Sequence, residues 1–157
     1  MAKPWKILEL NPDESLKQCL YKIALTRFQE TFSYESGTIK GEDIEALHDM
    51  RVSARRLRAV LRIFRDCFSK KKLKKHDARL QALIRSLGSV RERDVFLESL
   101  SGYKKSLEPG DCKVIDLLIA RETTARVLDR RNLMRDLKFL RRSKYSDSFA
   151  VFLKSSL

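Results

Sequence analysis

The chain has few of the residues that interrupt regular secondary structure. Only five glycines and three prolines occur in 157 residues, and these are the residue types that most often end helices or form turns. Apolar residues recur at three- and four-residue spacing through most of the chain, which is the pattern of amphipathic helices. We therefore predict an all-α protein whose residues 1–157 form a single domain with a hydrophobic core.

Cysteines and long apolar runs are also scarce. The three cysteines are widely separated and form no CxxC pair, which argues against a zinc site and favours reduced thiols. No apolar run approaches the roughly 20 residues that span a bilayer, and the amino-terminal run is too short for a signal peptide. The sequence predicts a cytoplasmic protein with no metal, no cofactor and no membrane partner.

Acidic residues are outnumbered by basic ones. The chain has 34 Lys and Arg against 21 Asp and Glu, a formal charge of +13. A charge of this size implies an acidic partner, such as nucleic acid, another polyphosphate or an anionic surface, without distinguishing among them. The sequence shows no phosphate-binding glycine loop, no metal-binding carboxylate cluster and no nucleophile–base pair. We therefore expect a binding protein and not an enzyme.

The most informative segment runs from His48 to Phe64 and predicts a helix with a basic face. At about 100° per residue, side chains at i, i+3, i+7, i+10 and i+14 lie in line. In this segment the line consists of His48, Arg51, Arg55, Arg58 and Arg62, and we call these five residues the basic row. Guanidinium groups bind phosphate oxygens bidentately, so the row suits a repeating anion. A solvated or salt-bridged helix face is the alternative interpretation.

Two apolar stripes border the basic row. Met50, Leu57 and Leu61 lie on a roughly opposite face and are predicted to enter the core. A smaller strip of Val52, Ala59 and Ile63 follows the other flank of the row.

Two further groups of charged residues are candidates for the same site. Arg91 and Asp94 stand three residues apart: they form a surface ion pair, or Arg91 lines the site while Asp94 orients an arginine of the basic row. Arg131 and Arg135, followed by Lys138 and Arg142, form a second row on a long helix. That row is either the opposing wall of a groove or a solvated face.

Capping and turn residues give the expected order of helices, which is that of an antiparallel bundle of about five to six helices. Gly88 is predicted to end one helix, and Gly37 and Gly41 to lie in a loop over residues 33–41. The predicted helices cover residues 13–32, 42–68, 73–87, 90–101, 111–142 and 147–157.

Several of these motifs resemble those of the CHAD family, the conserved-histidine α-helical domain. The longest is His48-Asp49-Met50-Arg51-Val52 with Arg55-Arg56-Leu57-Arg58. A second is Leu87-Gly88 with Arg91 and Asp94-Val95, and a weaker one is Arg142-Ser143-Lys144-Tyr145.

The resemblance implies a non-catalytic helical module that binds inorganic polyphosphate through a basic surface. It further implies two similar bundles about a pseudo-two-fold axis, of which this chain is expected to form one, so that a homodimer would rebuild the arrangement. Such a protein would be cytoplasmic and associated with polyphosphate granules. Binding of RNA or DNA is the alternative function, because both share the phosphate repeat, although few aromatic residues interleave with the basic row for base stacking.

Overall fold

The computed structural model describes residues 3–7 and 10–155, and within these ranges the chain folds into six α-helices and no strand. The predicted all-α class is confirmed. Two short 3-10 helices, Arg65–Cys67 and Pro109–Asp111, connect longer elements. The α-helices are α1 (Leu16–Ser33), α2 (Glu35–Lys40), α3 (Ile44–Ile63), α4 (Lys70–Lys104), α5 (Cys112–Arg142) and α6 (Tyr145–Lys154).

Local capping explains where several helices begin. Ser15 forms a capping box with Gln18, so α1 begins at Leu16 and not at the predicted residue 13. The side chain of Asp43 accepts a hydrogen bond of 2.8 Å from the backbone N–H of Glu45 and caps α3. The predicted loop over residues 33–41 is wrong in part, because the short helix α2 occupies most of it and ends at Gly41 in the left-handed conformation.

The predicted break at Gly88 is also wrong, since α4 is one continuous helix of 35 residues. Gly88 is buried in the middle of α4, where a β-carbon would lie 3.4 Å from Arg51 Nε. This glycine therefore lies inside a helix beside the Arg51 side chain of α3 instead of ending a helix. Residues 70–72, predicted as a connection, form the first turn of α4.

The helices pack as neighbours in the order α1, α3, α4, α5, with α6 against both α1 and α5. Ion pairs show that α3 and α4 are antiparallel, because Arg58 pairs with Asp77 and the earlier residue Glu45 pairs with the later residue Arg91. On α4, residues 77 and 88 face α3, whereas residues 86 and 93 contact side chains of α5. Helix α4 therefore lies between α3 and α5.

The core contains leucine side chains from α1, α3, α4 and α5, closed at one end by an aromatic cluster around α6. His76 of α4 is 4% exposed and stacks on Phe152 with ring centroids 4.4 Å apart. Burial lowers the pKa of His76 to about 4, with smaller contributions from Arg79 and Lys75. Phe149 stacks on Phe28 of α1 at 4.4 Å. The cluster packs α6 against the first turns of α4. Helix α6 begins at Tyr145, two residues before the predicted start.

Candidate anion-binding surface

The basic row lies on the flank of α3 that faces α4 and solvent. Its orientation follows from the core stripe, because Met50, Leu57 and Leu61 are fully buried and the row is rotated by roughly 100–140° from them. Arg55 and Arg62 are exposed, whereas His48, Arg51 and Arg58 are partly covered by α4. The row therefore divides into outer side chains that project into solvent and inner ones held against the neighbouring helix.

His48, Arg51 and Arg91 meet at one pocket between α3 and α4, which we call the His48 pocket. Its volume is about 460 Å3, and it is open to solvent. The predicted residue Arg91 thus joins two residues of the basic row although it is 40 positions away from Arg51 in sequence. The remaining lining residues, which the sequence did not indicate, are Glu92, Val95, Phe96 and Ser99.

Nitrogen atoms in this pocket are removed from water without being paired. His48 Nδ1, Arg51 Nε and Arg91 Nη1 are buried and have no hydrogen-bond partner among the described residues. The carboxylate of Glu45 lies 3.7 Å from Arg91 Nη2, but Glu45 is itself half-exposed. Buried donors without partners are costly and normally find an acceptor. Because these three atoms are themselves closed to solvent, an anion would engage the accessible parts of the same side chains; the convergence of two guanidinium groups and an imidazole on one pocket favours such a ligand.

Arg58, predicted to bind phosphate, is already engaged by a carboxylate. Its Nε donates to Oδ1 of Asp77 at 2.6 Å and its Nη2 donates to Oδ2 at 3.1 Å. This bidentate hydrogen bonding raises the pKa of Arg58. Asp77 on α4 therefore competes with phosphate for the fork of Arg58, and phosphate binding by Arg58 stays a prediction.

Asp94 does not orient an arginine of the basic row. Its buried carboxylate accepts a hydrogen bond from Nε of Arg126 on α5. The predicted partner of Asp94 is wrong, because residue 94 lies on the side of α4 that faces the core and α5. Asp94 ties α4 to α5, and Arg91, three residues earlier, reaches α3 instead.

The second predicted row does not form an opposing wall. Arg131 and Arg135 are exposed, and each lies about 160° around α5 from Leu133, which is fully buried. They therefore project from the outer face of α5, and α4 separates them from the basic row. Whether they bind an anion independently stays a prediction.

Arg56, which lies off the basic row, belongs to a structural network on the α1 side. Its Nη1 is 3.3 Å from the fully buried Glu30, which also accepts from Arg27. Arg27 in turn donates to the backbone oxygen of Trp5 at 2.8 Å. This network holds the amino-terminal segment on α1, and its position explains why only one flank of α3 presents arginines to a ligand.

The described residues contain no group of three or more His, Cys, Asp or Glu side chains placed to hold a metal ion. Within the same part of the chain, none of the helices has the length and apolar character needed to cross a membrane.

A family model described as the CHAD domain matches residues 22–157, which includes the whole basic row, the His48 pocket and helices α2 to α6. No curated protein matches the chain. Since the matched segment is most of the sequence and carries the motifs that line the pocket, the chain belongs to the CHAD domain family.

Proposed function

We propose that this protein binds inorganic polyphosphate without transforming it, through the basic surface between α3 and α4. The observation that carries the proposal is the convergence of His48, Arg51 and Arg91 on one pocket that is open to solvent. Arg55 and Arg62 extend this surface along α3. The formal charge of +13 supports a polyanion as the ligand.

Polyphosphate fits the surface because its charge repeats along a flexible chain. A rigid pocket for one phosphate would use a single cluster of donors, whereas here arginine side chains continue over about three turns of α3, from Arg51 to Arg62. Arginine forks supply both charge and paired donors for successive phosphate groups. Binding of this kind requires no covalent chemistry and no metal, and pure protein should release no orthophosphate from polyphosphate.

The test is a calorimetric titration of long-chain polyphosphate at several salt concentrations. By analogy with single-stranded nucleic acids, log affinity should fall with log salt by about 0.7 per phosphate contact, so about four contacts give a slope near −3. Arg55→Gln should weaken binding and reduce the slope by about 0.7. Arg121→Gln is the matched control, since Arg121 is an exposed arginine of α5 outside every predicted site, and an equal loss in both variants would place the ligand elsewhere. Salt-independent affinity would contradict the electrostatic mechanism.

RNA or DNA binding is the second candidate, and one residue favours it. Phe96 is 46% exposed and lines the His48 pocket beside Arg51 and Arg91, where its ring can stack on a base. Phe96→Ala should then weaken binding of single-stranded RNA about tenfold or more, and leave polyphosphate binding unchanged. Competition between the two polymers for wild-type protein ranks them directly.

We further propose that two copies associate, since the two-bundle arrangement expected from the family resemblance would be rebuilt by a two-fold axis. Ile63, in the apolar strip beside the basic row, is 74% exposed and available for such a contact. Repulsion between two basic surfaces makes association weak until polyphosphate bridges them. Light scattering should detect a dimer with polyphosphate, and a monomer under both conditions would refute the dimer. A cytoplasmic location at polyphosphate granules completes the proposal and is testable by microscopy.

A further inference from the structure

We propose a second anion subsite at the junction of α3 and α4, separated from the His48 pocket by the Arg58–Asp77 pair, so that the protein selects polyphosphate chains long enough to reach both. This inference rests on the proposed function and adds to it a new binding site and a length requirement. We call the new site the junction pocket. It is lined by Ala59, Arg62, Ile63, Arg65, Asp66, Lys70, Leu73, Lys74 and Asp77.

The junction pocket combines an apolar floor with a surplus of cations. Its volume is about 820 Å3. Its two carboxylates are already paired with arginines, Asp77 with Arg58 and Asp66 with Arg65 at 3.8 Å. The other three cationic residues of the lining form no ion pair with any described residue, and they are Arg62, Lys70 and Lys74. An anion entering the pocket therefore meets uncompensated charge beside apolar surface, where electrostatic attraction is stronger than in bulk water.

The beginning of α4 adds positive charge at the same place. Helix α4 has no acidic residue in its first turn, and its N-cap Ser69 makes no side-chain hydrogen bond. Instead, Lys70, Lys71 and Lys72 occupy this turn, where the helix dipole is positive and cations are unfavourable. A local arrangement that destabilises the helix is expected where it serves binding, because an anion there relieves both the lysine repulsion and the unsatisfied dipole.

The Arg58–Asp77 pair divides the basic surface in two. Its negative partner, Asp77, lines the junction pocket on the side toward the His48 pocket, and residues of both α3 and α4 line each pocket. Arg51 and Arg62 are eleven residues apart on α3, which corresponds to roughly 16 Å. A short anion can therefore occupy one subsite at a time, whereas a chain longer than this distance can occupy both.

Bridging two subsites converts the second contact into an intramolecular event. Linked binding of this type commonly strengthens affinity by about 100-fold or more over a single contact. We therefore expect a step in affinity once the polyphosphate chain spans the two subsites, followed by little further gain. A single continuous electrostatic surface would instead give a smooth increase with chain length.

The experiment titrates tripolyphosphate and a series of longer polyphosphates of defined length into three proteins. These are the wild type, Lys70→Gln with Lys74→Gln, and a matched control, Lys105→Gln with Lys113→Gln. The control removes two exposed lysines at the opposite end of the α4–α5 pair, and none of these four lysines forms an ion pair with a described residue. Wild-type protein and the control should bind long chains about 100-fold more tightly than tripolyphosphate, and the junction variant should lose at least tenfold of this ratio.

Each other outcome has a distinct meaning. Equal loss of the ratio in both variants, a smooth length dependence in wild type, or a junction variant that keeps the full ratio would overturn the second subsite while leaving polyphosphate binding intact. Absence of binding to any polyphosphate by wild-type protein would instead overturn the proposed function. Circular dichroism of the three proteins checks that the lysine substitutions leave the helical content unchanged.

Discussion

Asp77→Asn is expected to strengthen polyphosphate binding while it weakens the fold. The substitution keeps the shape of the side chain and removes the negative charge that now engages the fork of Arg58. Arg58 then becomes available to phosphate, and the repulsion between Asp77 and the ligand disappears. The two effects act in the same direction on affinity.

The magnitude follows from Coulomb's law. For a separation of roughly 7 Å between the Asp77 carboxylate and a bound phosphate, the repulsion of two unit charges is about 0.6 kcal/mol at the dielectric constant of water and about 2.4 kcal/mol at an effective value of 20. An intermediate value near 1 kcal/mol corresponds to binding that is roughly five- to tenfold tighter at low salt. One additional phosphate contact should also steepen the salt dependence by about 0.7.

The cost to stability is of similar size. The side chains of Arg58 and Asp77 are 25% and 29% exposed, so the pair lies between an exposed ion pair, worth under about 1 kcal/mol, and a buried one, whose disruption costs about 3–5 kcal/mol. We expect a loss of about 1–2 kcal/mol, seen as a fall of a few degrees in Tm.

Calorimetry and thermal unfolding measure both effects. Asp116→Asn removes the same charge from an exposed pair with Lys104 and controls for the change in net charge. Weaker binding by Asp77→Asn would refute the reasoning, because it would mean that Asp77 holds Arg58 in the geometry that the ligand requires.

Three further predictions concern single residues of α4. The pKa of His76 is about 4 in the folded state and about 6.5 in the unfolded state. The free energy by which burial of neutral His76 stabilises the fold is therefore fully present above pH 6.5 and is lost as the pH falls toward 4. Urea unfolding at pH 4.5 should show a free energy of unfolding lower by about 2–3 kcal/mol than at neutral pH, and this loss should be absent in His76→Phe. Gly88→Ala should raise the free energy of unfolding by about 0.5–1 kcal/mol, because a β-carbon makes an ordinary contact there. The larger side chain of Gly88→Leu should displace Arg51 and weaken polyphosphate binding in the calorimetric titration. Asp94→Asn should lower the free energy of unfolding by about 2–3 kcal/mol, since it leaves Arg126 without its carboxylate, with no loss of polyphosphate affinity; a loss of affinity would restore a role for Asp94 at the site.

The sequence alone determined the properties that depend on helical period. The all-α class, the buried stripe of Met50, Leu57 and Leu61, and the alignment of His48, Arg51, Arg55 and Arg62 on one flank of α3 all follow from about 100° of rotation per residue. Composition and charge predicted an acidic partner, and the motifs of the basic row indicated the family that the comparison shows.

Only the tertiary structure decided which charges remain available. Arg58 and Arg62 have the same residue type and lie on the same flank, yet Arg58 is engaged by Asp77 and Arg62 is not. That difference depends on how α4 is aligned against α3. The helical period of one segment shows which of its own side chains share a face, but it does not show how two helices are aligned against each other. The position of Gly88 was predicted wrongly for a related reason, because a glycine inside a buried helix and a glycine that ends a helix cannot be told apart from the sequence of one segment.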